Sequence, residues 1–96
     1  ATWCDPCRDA LPVYQDLQKE YAGRGLEVFA INVDSDANAI APFLSETNLS
    51  LSVLHDPDAN VATEKLRVQV MPTSYLIDRA GRVRHVHEGF NEAEFS

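Results

Sequence analysis

The chain has 96 residues, an apolar fraction of 45% and eight basic against fifteen acidic side chains, for a net charge of −7. That length accommodates a single domain, residues 1–96, with one core just large enough to fold without staples. The acidic balance argues against nucleic acid or an anionic membrane as a partner, and no apolar run approaches the ~20 residues that span a bilayer as a helix.

The first element is announced by Trp3-Cys4-Asp5-Pro6-Cys7-Arg8, which holds the two cysteines of the chain in C-x-x-C spacing. Leu11, Tyr14, Leu17 and Tyr21 follow at three- and four-residue steps, which predicts a helix ended by Gly23 or Gly25 in a left-handed cap. Pro6 suits its first turn, where a missing amide hydrogen costs nothing. Cys4 would then lie at the helix N-terminus, where unpaired amides and the dipole favour an anion. The thiolate is the reactive form of cysteine, and such a position lowers its pKa. Asp5 opposes that effect and Arg8 supports it, so the two roughly offset. Cys7, one turn inside and expected to be less exposed, would resolve a mixed disulfide formed at Cys4. Two other readings compete: a static bridge or buried inert pair, and half of a zinc site completed by His55, His85 or His87. A bridge this short closes too small a loop to stabilise much through chain entropy, which disfavours the static one.

Residues 26–33 (Leu-Glu-Val-Phe-Ala-Ile-Asn-Val) form a short apolar, β-branched run suited to an interior strand of a parallel sheet. Asp34, Ser35 and Asp36 offer caps for a second helix whose apolar face is Ile40, Phe43 and Leu44, with Pro42 able to kink or shorten it. Residues 51–54 read as another strand, ended by His55-Asp56-Pro57-Asp58. A third short helix starts at Asp58 or Asn60 and is expected to bury Val61, Ala62 and Leu66. Met71-Pro72-Thr73 then opens a strand over 73–78. Pro72 is either a trans strand-edge residue or a cis turn that exposes the backbone of Met71. Arg79-Ala80-Gly81-Arg82 is a hairpin turn, and 83–88 alternates as the return strand with Val83, His85 and His87 on one side. Gly89 ends it, and Asn91 caps the start of a last helix. Strand–helix alternation closed by an antiparallel hairpin is an α/β three-layer pattern.

With Trp-Cys-x-x-Cys-Arg, Pro12 five residues after the second cysteine, Met71-Pro72-Thr73 and the Leu-Ile-Asp-x-x-Gly hairpin, the chain resembles the thioredoxin superfamily. Within it, the chain is similar to the extracytoplasmic thiol-disulfide reductases related to TlpA and ResA. The resemblance covers essentially every residue. It implies a thioredoxin-like α/β fold, a central mixed sheet with helices on both faces. It also implies Cys4 as nucleophile, Cys7 as resolving thiol, Pro72 as a cis-proline packed against the disulfide, and Trp3, Met71, Pro72 and Thr73 as the residues that receive a substrate peptide. The backbone of Met71 would pair with that peptide as in strand addition. Protein disulfides and a partner reductase are the implied partners, with no cofactor or metal, in the bacterial periplasm or cell envelope. Relatives that serve cytochrome c maturation carry a glutamate three residues after the second cysteine, where this chain has Ala10.

The family also has a central strand immediately before its Trp-Cys motif, between the strands matching 26–33 and 73–78. The expectation is therefore a fragment that lacks this strand and most of the last helix. Either a strand swapped in from a second copy fills the gap or the remaining strands close up on each other. Competing functions are a copper- or zinc-binding metallochaperone, for which paired thiolates are suitable ligands, and a peroxiredoxin-like peroxidase, which the close cysteine spacing disfavours.

Overall fold

The computed structural model describes residues 1–90. Helix α1 (Asp5–Tyr21) starts where the cysteine spacing places it. Cys4 is its N-cap in extended conformation, and Cys4 Sγ accepts the amide hydrogen of Cys7. Asp5 in the first turn and Lys19 in the last complement the helix dipole. Pro12 lies inside α1 and exposed, where it forgoes one intrahelical hydrogen bond. A single 3-10 turn (Ala22–Arg24) follows, and Gly25 at φ 92° donates to the Ala22 carbonyl to stop the helix. Of the two candidate stop glycines, Gly25 is the one that needs the left-handed region.

Strand β1 (Phe29–Asn32) pairs in parallel with β2 (Ser52–His55), Phe29 opposite Ser52 and Asn32 opposite His55. β1 is shorter than the apolar run that announced it, and β2 is set one residue later than the expected 51–54. Between them a 3-10 turn (Ala37–Ala39), capped by the Asp36 carboxylate, leads into α2 (Ile40–Thr47), which ends at Asn48 in the left-handed region. Pro42 falls in the first turn of α2, where no intrahelical donor is needed, so it breaks nothing. After β2 a 3-10 turn (Pro57–Ala59) enters α3 (Asn60–Glu64). The buried Asp56 carboxylate accepts from the amides of Val61 at 3.0 Å and Ala62 at 2.8 Å. Strands β3 (Thr73–Ile77) and β4 (Val83–Glu88) form the antiparallel hairpin, with a register shift that sets Leu76 opposite His85 and Ile77 opposite Val83. Asp78 nucleates its turn by accepting from the amides of Ala80 and Arg82. The last helix expected from Asn91 lies outside the described residues.

Several expectations of pairing and burial are corrected here. The strands do not close into one sheet: β1 pairs with β2 and β3 with β4, as two separate two-stranded ladders. Phe29 and Ile31, expected on an interior strand, are 57% and 45% exposed because among the described residues no strand covers the other side of β1. For the same reason every residue of β4 is exposed and its alternation has no buried side. Helix α3 is too short to bury an apolar stripe; it covers Ala62 and leaves Val61 and Leu66 in solvent. Among the described residues the buried apolar ones are Cys4, Cys7 and Ala10 at the head of α1, Phe43 on α2, Leu49 and Leu51 before β2, and Ala62.

Helix α1 ties the two ladders together. Gln18 accepts from the Val28 amide at 2.6 Å and Gln15 from the Ser50 amide at 2.6 Å on the parallel side. On the antiparallel side Tyr14 donates to Ser74 at 3.3 Å, and Arg79 reaches the Arg24 carbonyl just past the helix end at 3.4 Å.

Candidate active site

The C-x-x-C pair stands at the head of α1 because a cysteine that is not yet helical can turn its sulfur back onto the first free amides, as a serine or aspartate cap does. Cys4 and Cys7 are joined as a disulfide with their Cα atoms 5.3 Å apart. Cys4 Sγ lies 3.3 Å from the Cys7 nitrogen, whose hydrogen points at it. That amide and the positive end of the helix would both favour negative charge on Cys4 sulfur once the bridge is reduced. The expected difference in exposure between the two cysteines is absent in the bridged form: Cys4 is 6% and Cys7 8% exposed. The bond draws Cys4 Sγ into the first turn beside Cys7, so the two sulfurs share one environment.

Arg8, the cation expected to support the thiolate, is engaged elsewhere. Its guanidinium pairs with Glu46 of α2 at 3.1 Å, sits 5.1 Å from the centre of the Phe43 ring and reaches the Thr2 carbonyl at 3.4 Å. Trp3 is 67% exposed and presents its indole to solvent beside the pair. Met71, Pro72 and Thr73 are half-buried, and the Met71–Pro72 peptide is cis. The Thr73 hydroxyl donates to the Val70 carbonyl at 2.5 Å, and the Pro72 carbonyl accepts from the Gly89 amide at 2.7 Å. The 71–73 turn is thus closed on itself and on the end of β4. Its link to the cysteine helix runs through the neighbouring Ser74 and Tyr14 of α1. Among the described residues no hydrogen bond joins residues 71–73 to Cys4 or Cys7.

Of the caps offered by Asp34, Ser35 and Asp36, the one in use is Asp36, which accepts from the Asn38 amide at 2.9 Å. Asp34 is buried and faces the cysteine loop instead, accepting from the Thr2 amide at 2.9 Å, the Thr2 hydroxyl at 3.2 Å and the Asn32 side-chain amide at 2.9 Å. Burial works against its ionisation, yet the hydrogen bonds from Asn32 and Thr2 outweigh it and hold the carboxyl below the ordinary carboxylate range. The available signal was its position just past the carboxyl end of a parallel strand, where open α/β sheets build their sites.

The histidines do not assemble with the cysteines. His55 contacts the Asp34 carbonyl through Nε2 at 2.7 Å, and His85 and His87 stack on β4 with ring centres 6.4 Å apart. Among the described residues no three His, Cys, Asp or Glu side chains converge as a metal site. An open depression lined by Tyr21, Arg24, Gly25 and Leu26 lies at the opposite end of α1 from the cysteines.

Comparison with known proteins gives consistent results. The model of the AhpC/TSA family matches residues 1–86. The thiol-disulfide oxidoreductase ResA of Oceanobacillus iheyensis is 35% identical over 89 residues, which are 93% of this chain and 46% of that protein. A Chlorobium tepidum protein of known structure, which carries the name thiol:disulfide interchange protein DsbE, superposes with a TM-score of 0.89 at 35% identity, covering 98% of this chain and 66% of that one. StoA of Bacillus subtilis superposes with a TM-score of 0.76 at 20% identity over 92% of this chain and 67% of its own, a likeness of fold alone. The chain spans about half the length of the curated relatives it matches.

Proposed function

The chain belongs to the AhpC/TSA family and has a thioredoxin-like α/β fold, and from that premise we propose that it is the redox-active part of a thiol-disulfide oxidoreductase that reduces protein disulfides. The observation that carries this reading is the cysteine bridge at the N-cap of α1, with the Cys7 amide directed at Cys4 Sγ. A bridge that can open and close beside a helix N-terminus stores two electrons and stabilises the sulfur that must carry charge.

The reaction starts from the reduced pair. Cys4 thiolate attacks one sulfur of a substrate disulfide, a mixed disulfide forms, and the other substrate sulfur leaves as thiolate. Cys7 thiolate then attacks Cys4 Sγ. This closes the Cys4–Cys7 bond, releases the second substrate sulfur and completes a two-electron transfer to the substrate. A partner dithiol reductase opens the bridge by the same exchange in reverse. Trp3 offers an exposed aromatic surface beside the pair, and Met71, Pro72 and Thr73 form the segment along which an extended substrate peptide pairs by its backbone. The names of the relatives support thiol-disulfide exchange as the reaction, and the resemblance to extracytoplasmic reductases supports protein disulfides as substrates and a site outside the cytoplasm. Ala10, in place of the glutamate of the cytochrome c maturation branch, points to a general reductase rather than that specialised one.

The test is a trap. Cys7→Ser protein should accumulate mixed disulfides through Cys4 when offered a protein disulfide, and Cys4→Ser protein should not; trapping by Cys4→Ser instead would reverse the two roles. Equilibration of the unsubstituted chain with a glutathione series should give a potential nearer the ~−270 mV of thioredoxin than the ~−120 mV of a strong oxidant.

A further inference from the structure

The loop that delivers Cys4 is held by a buried acid from a distant part of the chain. Asp34 is 8% exposed, and three hydrogen-bond donors converge on its carboxylate: the Thr2 amide and the Asn32 side-chain amide on Oδ2, and the Thr2 hydroxyl on Oδ1. Among the described residues no lysine or arginine pairs with it. The positive charge that acts on it is the Ala1 ammonium, and a buried carboxylate persists where its acceptor capacity is used.

Asp34 is itself fixed from behind. Its amide donates to Asn32 Oδ1 at 3.0 Å, its carbonyl meets His55 Nε2 at 2.7 Å, and the Asn32 carbonyl accepts from the Asp56 amide at 2.8 Å. The carboxyl ends of β1 and β2 therefore set where the acid lies, and the acid sets where Thr2 lies. From the other direction Arg8 of α1 reaches the Thr2 carbonyl, and the Cys4 amide closes a turn onto the Ala1 carbonyl at 3.2 Å. Thr2 is held on both sides, two residues before the sulfur.

We infer that Asp34 is a positioning residue for the redox pair: through Thr2 it fixes the approach of Trp3 and Cys4 to the helix, and so the direction from which Cys4 sulfur meets a disulfide. This rests on the oxidoreductase reading for its purpose, but the clamp can be measured without it. The clamp acts by geometry, and the asparagine isostere can keep that geometry: its oxygen can accept from the Thr2 and Asn32 amides, while its NH2 donates to the Thr2 hydroxyl, which can accept as well as donate.

The experiment follows alkylation of Cys4 by iodoacetamide in the reduced chain across pH, together with insulin reduction. Asp34→Ala should slow the alkylation of Cys4 at neutral pH by ~10-fold, because a loop no longer held lets the Cys4 sulfur leave the helix N-terminus and its thiolate fraction fall toward that of a free cysteine. Asp34→Asn should restore the rate to within about threefold, and Thr2→Val, which loses one hydrogen bond, should fall between the two. Alanine at 34 reacting as fast as aspartate overturns the proposal, and so does asparagine as slow as alanine, which would assign the effect to charge. If Asp34→Ala does not fold by circular dichroism, Thr2→Val decides: an unchanged rate overturns the clamp. Failure of the unsubstituted chain to reduce insulin while the alkylation series holds would refute the reductase reading and leave the positioning role standing.

Discussion

Replacing Asp56 by alanine tests how the segment that carries Met71 and Pro72 is anchored. The Asp56 carboxylate accepts from the amides of Val61 and Ala62, and the Ala62 carbonyl in turn accepts from the Val68 amide at 2.9 Å, three residues before Met71. Ala62 is buried, so its amide left without an acceptor costs about 1–3 kcal/mol. Val61 is exposed and its amide can be rehydrated, which adds only a few tenths. The sum is about 2 kcal/mol, or a fall in Tm of roughly 8–16 °C for a domain of this size. Asp56→Asn keeps one acceptor and loses the charge, and should cost about half as much. Thermal melts followed by circular dichroism measure both. A shift under about 2 °C for Asp56→Ala would refute the reasoning, because the buried amide would then have found another partner at no cost.

Asp34 carries a sign for acid denaturation. Its folded-state pKa lies below its unfolded value, so its contribution is present above about pH 4 and is lost as pH falls through the lower, folded value. Urea midpoints of Asp34→Asn should therefore decline less steeply below pH 4 than those of the unsubstituted chain. Ala59 precedes α3 in the left-handed region at φ 57°, a strained place for a side chain. Ala59→Gly should stabilise by ~0.5 kcal/mol, the relief of strain exceeding the added chain entropy, as read from the denaturant midpoint. The Arg8–Glu46 pair is a surface contact with Glu46 largely exposed. Glu46→Gln should cost under about 0.5 kcal/mol, whereas Arg8→Ala, which also loses the Phe43 ring and the Thr2 carbonyl, should cost about 1 kcal/mol or more in the same melts.

What the sequence showed clearly was local. The α1 periodicity, its N-cap cysteine, a left-handed stop at Gly23 or Gly25 and the hairpin around Asp78 and Gly81 each follow from residues within a few positions of one another. What it hid depended on distant partners. The apolar residues of 26–33 say that a strand wants cover but not whether cover is present, and the exposure of Phe29 and Ile31 is a property of what lies beside β1. Asp34 and Asp36 are equally good caps on paper. Only the fold, which brings Thr2 to Asp34 across 32 positions, separates the acid that holds the cysteine loop from the acid that starts a helix. The equal burial of Cys4 and Cys7 belongs to the closed bridge and has no signature in the spacing.

Because α1 carries the cysteines at one end and takes hold of both ladders along its length, it works as a beam whose fastening is also its working tip. Under the proposed function, each turnover would unlatch that tip and latch it again. The 71–73 turn would then adjoin, at Ser74, the hydroxyl that accepts from Tyr14 of the same rod that bears the sulfurs.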